Sequence, residues 1–283
     1  MTIEAKIIAD SITEDGNRLT TMQLMYPRFI HSEFMTHRVF SRNASSSRAI
    51  PIAKMIQSVR DNPAMPIHWG KNQPGMQARK EIDFPTLAQD IWKYASELAV
   101  DRAYELKDLD IHKQIVNRLL EPFQYIKVIV TATEWDNFFK LRCHEDAQPE
   151  MYELARVMKE AMEESTPKLL KHGEWHLPYV DFPGPRGKEL SLEKAIKCSV
   201  ARCARVSYLN HDNSNPNIEK DIALADKLLE AGHMSPFEHQ ATPMDFAKDT
   251  YALAWEKGVT HKDRKDNFWS GNFRGFLQYR QLL

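Results

Sequence analysis

The sequence lacks most features of secreted, membrane or disulfide-stabilised proteins. It has three cysteines in 283 residues, Cys143, Cys198 and Cys203, with no Cys-x-x-Cys pair among them. A disulfide framework is therefore not expected, and the reducing cytoplasm is the expected compartment. The N-terminal residues 1–6 lack the apolar run of a signal peptide. No stretch approaches the ~18 consecutive apolar residues of a membrane span, so no membrane partner is expected.

The chain also lacks an excess of charge of either sign and the glycine-rich nucleotide motifs. Lys plus Arg number 38 against 39 for Asp plus Glu, which argues against a general nucleic-acid-binding protein. There is no Gly-x-Gly-x-x-Gly and no P-loop, so a Rossmann crevice or a Walker site is not expected. With 42% apolar and 27% charged residues, the composition is that of a globular protein with a sizeable core.

Hydrophobic periodicity predicts an α+β fold, with a mixed or antiparallel sheet and packed helices. Residues 3–9 and 19–26 alternate as a hairpin around Asp15-Gly16-Asn17, and the β-branched run 125–133 predicts a buried strand. Helices are predicted at 86–107, where an apolar stripe includes Leu87, Ile91, Tyr94 and Leu98, and at 111–120, 149–170, 190–205, 217–230 and 271–283. We expect a single domain, 1–283, with a surface insertion at about 57–85.

The most informative stretch is residues 37–48, His-Arg-Val-Phe-Ser-Arg-Asn-Ala-Ser-Ser-Ser-Arg. These twelve residues hold three arginines and four serines but no acidic side chain. Arginine and short hydroxyl side chains suit phosphate oxygens, so the stretch predicts an anion site. The simpler alternative is a solvated Ser/Arg loop, which the apolar residues on both sides make less favourable.

Two other groups are ambiguous on residues alone. Arg118 and Arg142 flank the predicted buried strand, and either ligand binding or capping of helix ends would explain them. His233, Glu238 and His239 could be taken for a zinc site, but their spacing fits no helix-borne zinc motif. We therefore expect no metal there.

These groups together resemble the flavin-dependent thymidylate synthase family. The family's Arg-His-Arg-x-x-Ser-x-Asn-Glu-x-Ser-x-Arg signature is similar to residues 36–48, and its Phe-x-x-Leu-Arg segment is similar to residues 138–142. Its Ala-Arg-Val-Ser and Pro-Phe-Glu-His motifs are similar to 204–207 and 236–239. In the family those two motifs come first, so this chain resembles a circularly permuted member. Permutation preserves a site when the original termini lie close together.

The resemblance implies roles for specific residues. Catalysis would depend on Arg142 and Arg118, which hold the pyrimidine ring. The substrate-binding residues would be Ser46, Ser47, Arg48, Arg118 and Arg142. The residues contacting the flavin would be His37, Arg38, Val39, Ser41, Asn43, Asn137, Ser207, Ser235 and Glu238.

The implied reaction is C5 methylation of a pyrimidine deoxynucleotide, dUMP to dTMP. Its carbon donor would be methylenetetrahydrofolate, and FAD reduced by NADPH would supply the hydride. The family implies a homotetramer with shared active sites. Alternatives are hydroxymethylation of another nucleotide such as dCMP, a nucleic-acid-binding protein that is not an enzyme, and a zinc hydrolase around His233 and His239.

The chain departs from the family signature on its nucleotide side. Glu33, Thr36 and Ala44 stand where relatives have glutamine, arginine and glutamate. A glutamate would repel a phosphate unless another cation lies between them. We further hypothesise that Arg274 or Arg280 binds the phosphate in place of the arginine that Thr36 replaces. Asp146 stands where relatives often have a histidine near the flavin, so that contact is not expected here.

Overall fold

The fold, given by a computed structural model that describes residues 3–182, 190–206, 217–245 and 255–283, is built on a five-stranded sheet. The strand order is β3-β4-β2-β1-β5. The strands are β1 (Glu4–Thr13), β2 (Arg18–Pro27), β3 (Ser41–Ala44), β4 (Tyr125–Ala132) and β5 (Lys168–Leu170). Neighbours pair antiparallel except β1 and β5, which are parallel. The sheet is thus mixed, and the predicted α+β class is confirmed.

The hairpin and the buried strand form where the sequence predicts them. Between β1 and β2 the amide of Thr13 donates to the carbonyl of Asn17 at 2.9 Å. Gly16 takes φ +80° in this turn, a conformation that glycine adopts without strain. Strand β4 lies between β2 and β3, and its β-branched side chains are buried on both faces of the sheet.

The sheet is covered on both faces. On one face, Met22, Leu24 and Val130 join the main core together with α5 (Asp136–Arg142) and α6 (Pro149–Glu164). On the other face, Ile129 packs against residues at the end of α7 (Leu192–Ala204), which lies beside α8 (Ile218–Glu230). The arrangement has three layers, so strand β4 and its neighbour β3 run between two groups of helices.

The remaining helices are α1 (His31–Phe34), α2 (Ile52–Asp61), α3 (Pro85–Asp108) and α4 (Lys113–Leu119). Helices α2, α3 and α4 pack around a separate apolar cluster. Residues 62–84 have little regular structure, as predicted. The single domain with an insertion stays a prediction. No helix among the described residues has the length and apolarity to cross a bilayer.

The N-terminal part of the predicted stripe on α3 does not face the core, whereas Tyr104 and Leu106, at its C-terminal end, pack against the cluster. Leu87, Ile91 and Tyr94 are 62%, 63% and 61% exposed, and α3 instead buries Val100 and Ala103. Helices α2 and α4 pack against this other side of α3, so the more apolar side is left uncovered in the monomer.

The helix predicted over 271–283 is wrong. The segment forms β9 (Phe273–Arg274), β10 (Phe276–Gln278) and a 3-10 turn at Tyr279–Leu282. Gly271 and Gly275 have φ +60° and +72°, which interrupts a helix. The other short strands are β6 (Ala241–Pro243), β7 (His261–Lys262) and β8 (Phe268–Ser270), and β10 pairs with β6.

Candidate active site

The histidine of the signature is fixed in an aromatic cluster. The His37 ring stacks on Phe40 with centroids 5.9 Å apart and meets the edge of Phe138 at 4.8 Å. Its Nε2 accepts a hydrogen bond of 3.0 Å from Nε of Arg142, so the ring proton must lie on Nδ1. Burial first, and then Arg142 and Arg42, lower the pKa of His37 to about 4. The imidazole is therefore neutral at pH 7 and orients Arg142.

Arg142 is held by a second partner. Its Nη1 donates to Oε1 of Glu33 in an ion pair, so the cation sits between His37 and a carboxylate. The side chains of Arg142 and Glu33 are 20% and 33% exposed. The concern that Glu33 would repel an anionic ligand is thereby answered, because Arg142 neutralises its charge.

Arg42, the middle arginine of the signature, has an internal role. Its Nη1 donates to the carbonyls of Met35 at 3.0 Å and His37 at 2.9 Å. Burial is the main cause of its lowered pKa. Arg42 thus closes the turn between α1 and β3, and it leaves Arg38 and Arg48 as the exposed arginines of the stretch.

At the other end of β3, a buried amide attaches the signature to α4. The side-chain amide of Asn117 donates to the carbonyls of Ser47 at 2.8 Å and Ile50 at 3.0 Å. The hydroxyl of Ser47 donates to Glu121 at 3.0 Å. Arg48 and Arg118 adjoin Ser47 and Asn117 in sequence, are exposed, and form no ion pair with the described residues.

The three predicted nucleotide arginines therefore divide into two groups. Arg142 lies at the His37 end of β3, whereas Arg48 and Arg118 flank the Ser47 end. Strand β3 has 4 residues, so its first and last Cα atoms are roughly 10 Å apart at ~3.3 Å per residue. The predicted nucleotide arginines therefore lie along the length of β3, and all three belong to the same chain.

The motifs near the C-terminus are brought against the signature by one buried glutamine. The side-chain amide of Gln278 donates to Oγ of Ser41 at 3.1 Å, to the carbonyl of Glu238 at 3.1 Å and to Oδ1 of Asn272 at 2.9 Å. Asn272 in turn donates to the carbonyl of Val39 at 2.9 Å. Sequence reasoning noted this stretch but assigned no role to the two amides.

The carboxylate of Glu238 is ion-paired with Arg280, and Arg274 is paired with Glu134 at 2.8 Å. For either arginine to bind a phosphate in place of the arginine that Thr36 replaces, its ion pair would have to open. That hypothesis therefore gains no support from the observed ion pairs. It stays a prediction.

A buried chain of hydrogen bonds crosses the sheet next to Glu238, and sequence reasoning missed it. Ser11 binds Nδ1 of His176, Nε2 of His176 binds Thr21, Thr21 binds Thr131, and Thr131 binds Nδ1 of His239, all within 2.7–2.8 Å. Nε2 of His239 is buried and lacks a partner among the described residues. Burial lowers the pKa of both histidines to about 3, so both are neutral.

The zinc interpretation finds no ligand set. His239 is buried in the chain just described, while His233 is exposed. Within the described parts of the chain, no three His, Cys, Asp or Glu side chains lie close enough together to hold a metal ion.

The other predicted site residues differ in accessibility. Ser41 and Ser47 are buried, with their hydroxyls bonded inside the protein, and Asn43 donates weakly to the carbonyl of Cys203 at 3.5 Å. Ser46 is half-buried. The exposed ones are Arg38, Val39, Arg48, Arg118, Asn137 and Ser235. Ser207 lies outside the described residues. Ligand roles for all of them stay predictions.

Comparison with known proteins gives the class. The family model described as thymidylate synthase complementing protein matches residues 19–168, more than half of the chain. The chain belongs to this family, and it is a flavin-dependent thymidylate synthase-like enzyme. The match covers the signature, Arg118 and Arg142, whereas the motifs at 204–207 and 236–239 lie beyond it, so the permuted order stays a prediction.

Solved structures show weaker likenesses. The UMP/dUMP methylase PolB from Streptomyces cacaoi bound with 5-Br dUMP is 16% identical, with 57% of this chain and 90% of that chain covered and a TM-score of 0.46. Thymidylate Synthase X (ThyX) from Helicobacter pylori with FAD and dUMP is 15% identical, with 51% and 67% covered and a TM-score of 0.37. No curated protein matches the chain.

Proposed function

We propose that the protein methylates C5 of dUMP to give dTMP, with methylenetetrahydrofolate as the carbon donor. One observation carries this proposal. In a chain of this family, Arg142 and the 236–239 motif both lie beside the signature around β3, Arg142 through His37 and the motif through Gln278. FAD, reduced by NADPH, would supply the hydride when bound.

The residues around the start of β3 fit a flavin dinucleotide. Arg38 is exposed and has no ion pair with a described residue, and Ser235 is exposed at the start of its 3-10 turn. A guanidinium and a hydroxyl are suitable donors to pyrophosphate oxygens. Asn43 and Glu238, on the neighbouring backbone, add an amide and a carboxylate that can bind hydroxyl or ring groups.

The nucleotide would lie along β3. Arg48 and Arg118, both exposed cations, would bind its phosphate, and Ser46 and Ser47 line the same turn. Arg142 would contact the pyrimidine ring at the other end, where His37 fixes its position. There the guanidinium would stabilise negative charge on a ring carbonyl as hydride reaches the ring.

A second candidate is C5 hydroxymethylation or methylation of dCMP. The observation that admits it is the Glu33 carboxylate beside Arg142, because a carboxylate can accept a hydrogen bond from an amino group as well as from a ring N–H. A homotetramer with shared active sites is also proposed, and the exposed apolar face of α3 supports it as a surface suited to contact between copies.

The reaction can be tested directly. The purified protein should show the absorbance of bound oxidised flavin. Incubated with methylenetetrahydrofolate and NADPH, it should add a methyl group to dUMP, measured by mass spectrometry, with dCMP in a parallel reaction. A product from dCMP alone, or a hydroxymethyl product, selects the second candidate. No product from either nucleotide would refute both.

Arg142→Ala should keep the flavin spectrum and lose most turnover, by about 100-fold or more if charge stabilisation is removed. Arg156→Ala is the matched control, because Arg156 forms ion pairs with Glu153 and Glu160 on α6 away from β3. Circular dichroism should show that both variants are folded. Full activity in Arg142→Ala would refute the role given to this arginine.

A further inference from the structure

We propose that Glu33 is a specificity-determining residue that reads the pyrimidine base together with Arg142. The Glu33 carboxylate would accept one hydrogen bond from the base, and the Arg142 guanidinium would donate another to it. The two side chains would therefore bind the part of a pyrimidine that has a ring or carbonyl acceptor next to an N–H donor. This inference rests on the proposed function, because it concerns the same nucleotide.

The hydrogen bonds of Arg142 and Glu33 leave one nitrogen and one oxygen of the pair able to bind a ligand. Arg142 uses Nε for His37 and Nη1 for Oε1 of Glu33. Nη2 of Arg142 and Oε2 of Glu33 form no hydrogen bond with the described residues. One donor group and one acceptor of the ion pair therefore remain without a partner among the described residues.

The surroundings make these two atoms selective. The side chains of Glu33 and Arg142 are only partly exposed, and the adjoining His37 ring is packed between Phe40 and Phe138. A hydrogen bond to a charged group in such a setting is stronger than one at an open surface. A base that lacks the matching donor would leave a carboxylate oxygen desolvated and unpaired.

The charge of the pair argues for a base and against a phosphate at this end. Glu33 and Arg142 sum to zero, so they offer little attraction to a dianion. The exposed Arg48 and Arg118 at the far end of β3 form no ion pair with described residues and keep their full charge. Arg38, the other exposed arginine at the Glu33 end, is assigned above to the flavin pyrophosphate, so the free cations proposed for the nucleotide phosphate lie at the Arg48 end.

Two bases share the required chemistry. Uracil presents N3–H beside a carbonyl, and cytosine presents its amino group beside N3. Methylation of uracil at N3, or double methylation of the cytosine amino group, removes the donor and keeps the rest of the nucleotide. These analogues therefore report on contact with Glu33 and separate the two bases.

The experiment measures dissociation constants by titration calorimetry on the purified flavin-bound protein. The ligands are dUMP, dCMP, N3-methyl-dUMP and N4,N4-dimethyl-dCMP. Wild type should bind one parent nucleotide at least ~10-fold more tightly than its methylated analogue, the size expected for a hydrogen bond to a charged group. In Glu33→Ala this ratio should fall to within about threefold of unity, because the acceptor is gone.

Two further variants control the result. Glu134→Ala removes a carboxylate that also pairs with one arginine, Arg274, at similar exposure, and it should leave the ratio unchanged. Glu33→Gln keeps the shape of the side chain and removes its charge, so it should lower the ratio several-fold and serves if Glu33→Ala does not fold.

The outcomes separate the two proposals. If both ligands of a pair weaken equally in the Glu33 variants, Glu33 is merely structural and this inference is wrong, while the proposed function stands. The inference also fails if wild type shows no preference for the parent nucleotide. If wild type binds neither dUMP nor dCMP, the proposed function itself fails.

Discussion

Thr131→Val tests the buried hydrogen-bond chain. Valine has nearly the shape of threonine but cannot form the bonds to Thr21 and His239. In the variant, His239 would have no hydrogen bond to any described residue, because Nδ1 loses its partner and Nε2 already has none. Thr21 would keep only its bond to His176.

The magnitude follows from these missing bonds. Leaving a buried imidazole nitrogen without a partner costs about 1–3 kcal/mol, and loss of the Thr21 bond costs about 1 kcal/mol more. The free energy of unfolding should therefore fall by about 2–4 kcal/mol. Urea unfolding followed by circular dichroism and tryptophan fluorescence measures this change, provided that the two signals coincide.

Thr242→Val is the matched control. The hydroxyl of Thr242 is also buried, but no described residue bonds to it. Removing an unpaired polar group should be neutral or should stabilise the protein by about 1 kcal/mol. Equal destabilisation in the two variants would show that hydrogen bonding is not the cause, and an unchanged stability in Thr131→Val would refute the chain altogether.

Three other predictions follow from the structure. Gln278→Leu should lower the free energy of unfolding by about 2–3 kcal/mol and weaken flavin retention, because it removes the hydrogen bonds to Ser41 and Glu238. Urea unfolding and the absorbance of dialysed protein measure the two effects. If neither value changes, Gln278 does not join the C-terminal motifs to the signature. His176 and His239, with pKa values of about 3, resist protonation when folded but take up protons near pH 6.5 when unfolded. Stability should therefore be full above pH 6.5 and fall by about 3 kcal/mol for each histidine on acidification to about pH 4, and a flat profile in urea unfolding would contradict this. Val100→Ala should cost about 1–3 kcal/mol, whereas Ile91→Ala should change the unfolding of the monomer by less than about 0.5 kcal/mol, and the opposite order would refute the orientation of α3.

Local patterns were sufficient for the hairpin, strand β4 and helices α3, α4, α6, α7 and α8. The alternation in 3–9 and 19–26 and the β-branched run at 125–133 reflect packing against the two layers of helices, so the strands form where predicted. Helix α3 has apolar residues on more than one side. Periodicity alone could not decide which side of α3 faces α2 and α4. The exposure of Leu87, Ile91 and Tyr94 shows that tertiary packing decides it.

The candidate site was only partly predictable. The signature and Arg142 carry recognisable residue types, but the contact between His37 and Arg142, which are 105 positions apart, was not predicted. The amides of Gln278 and Asn272 gave no comparable signal, because each acts through a contact with a residue far away in sequence. The incorrect prediction of a helix over 271–283 also gave no reason to place these two amides next to the signature.

The hydrogen bond between Ser41 and Gln278 joins residues 237 positions apart in the chain. During synthesis the signature leaves the ribosome long before the strand that completes its surroundings. A polypeptide released early would carry the motif without a finished pocket. Such fragments should be inert and should not compete with intact enzyme for flavin or nucleotide.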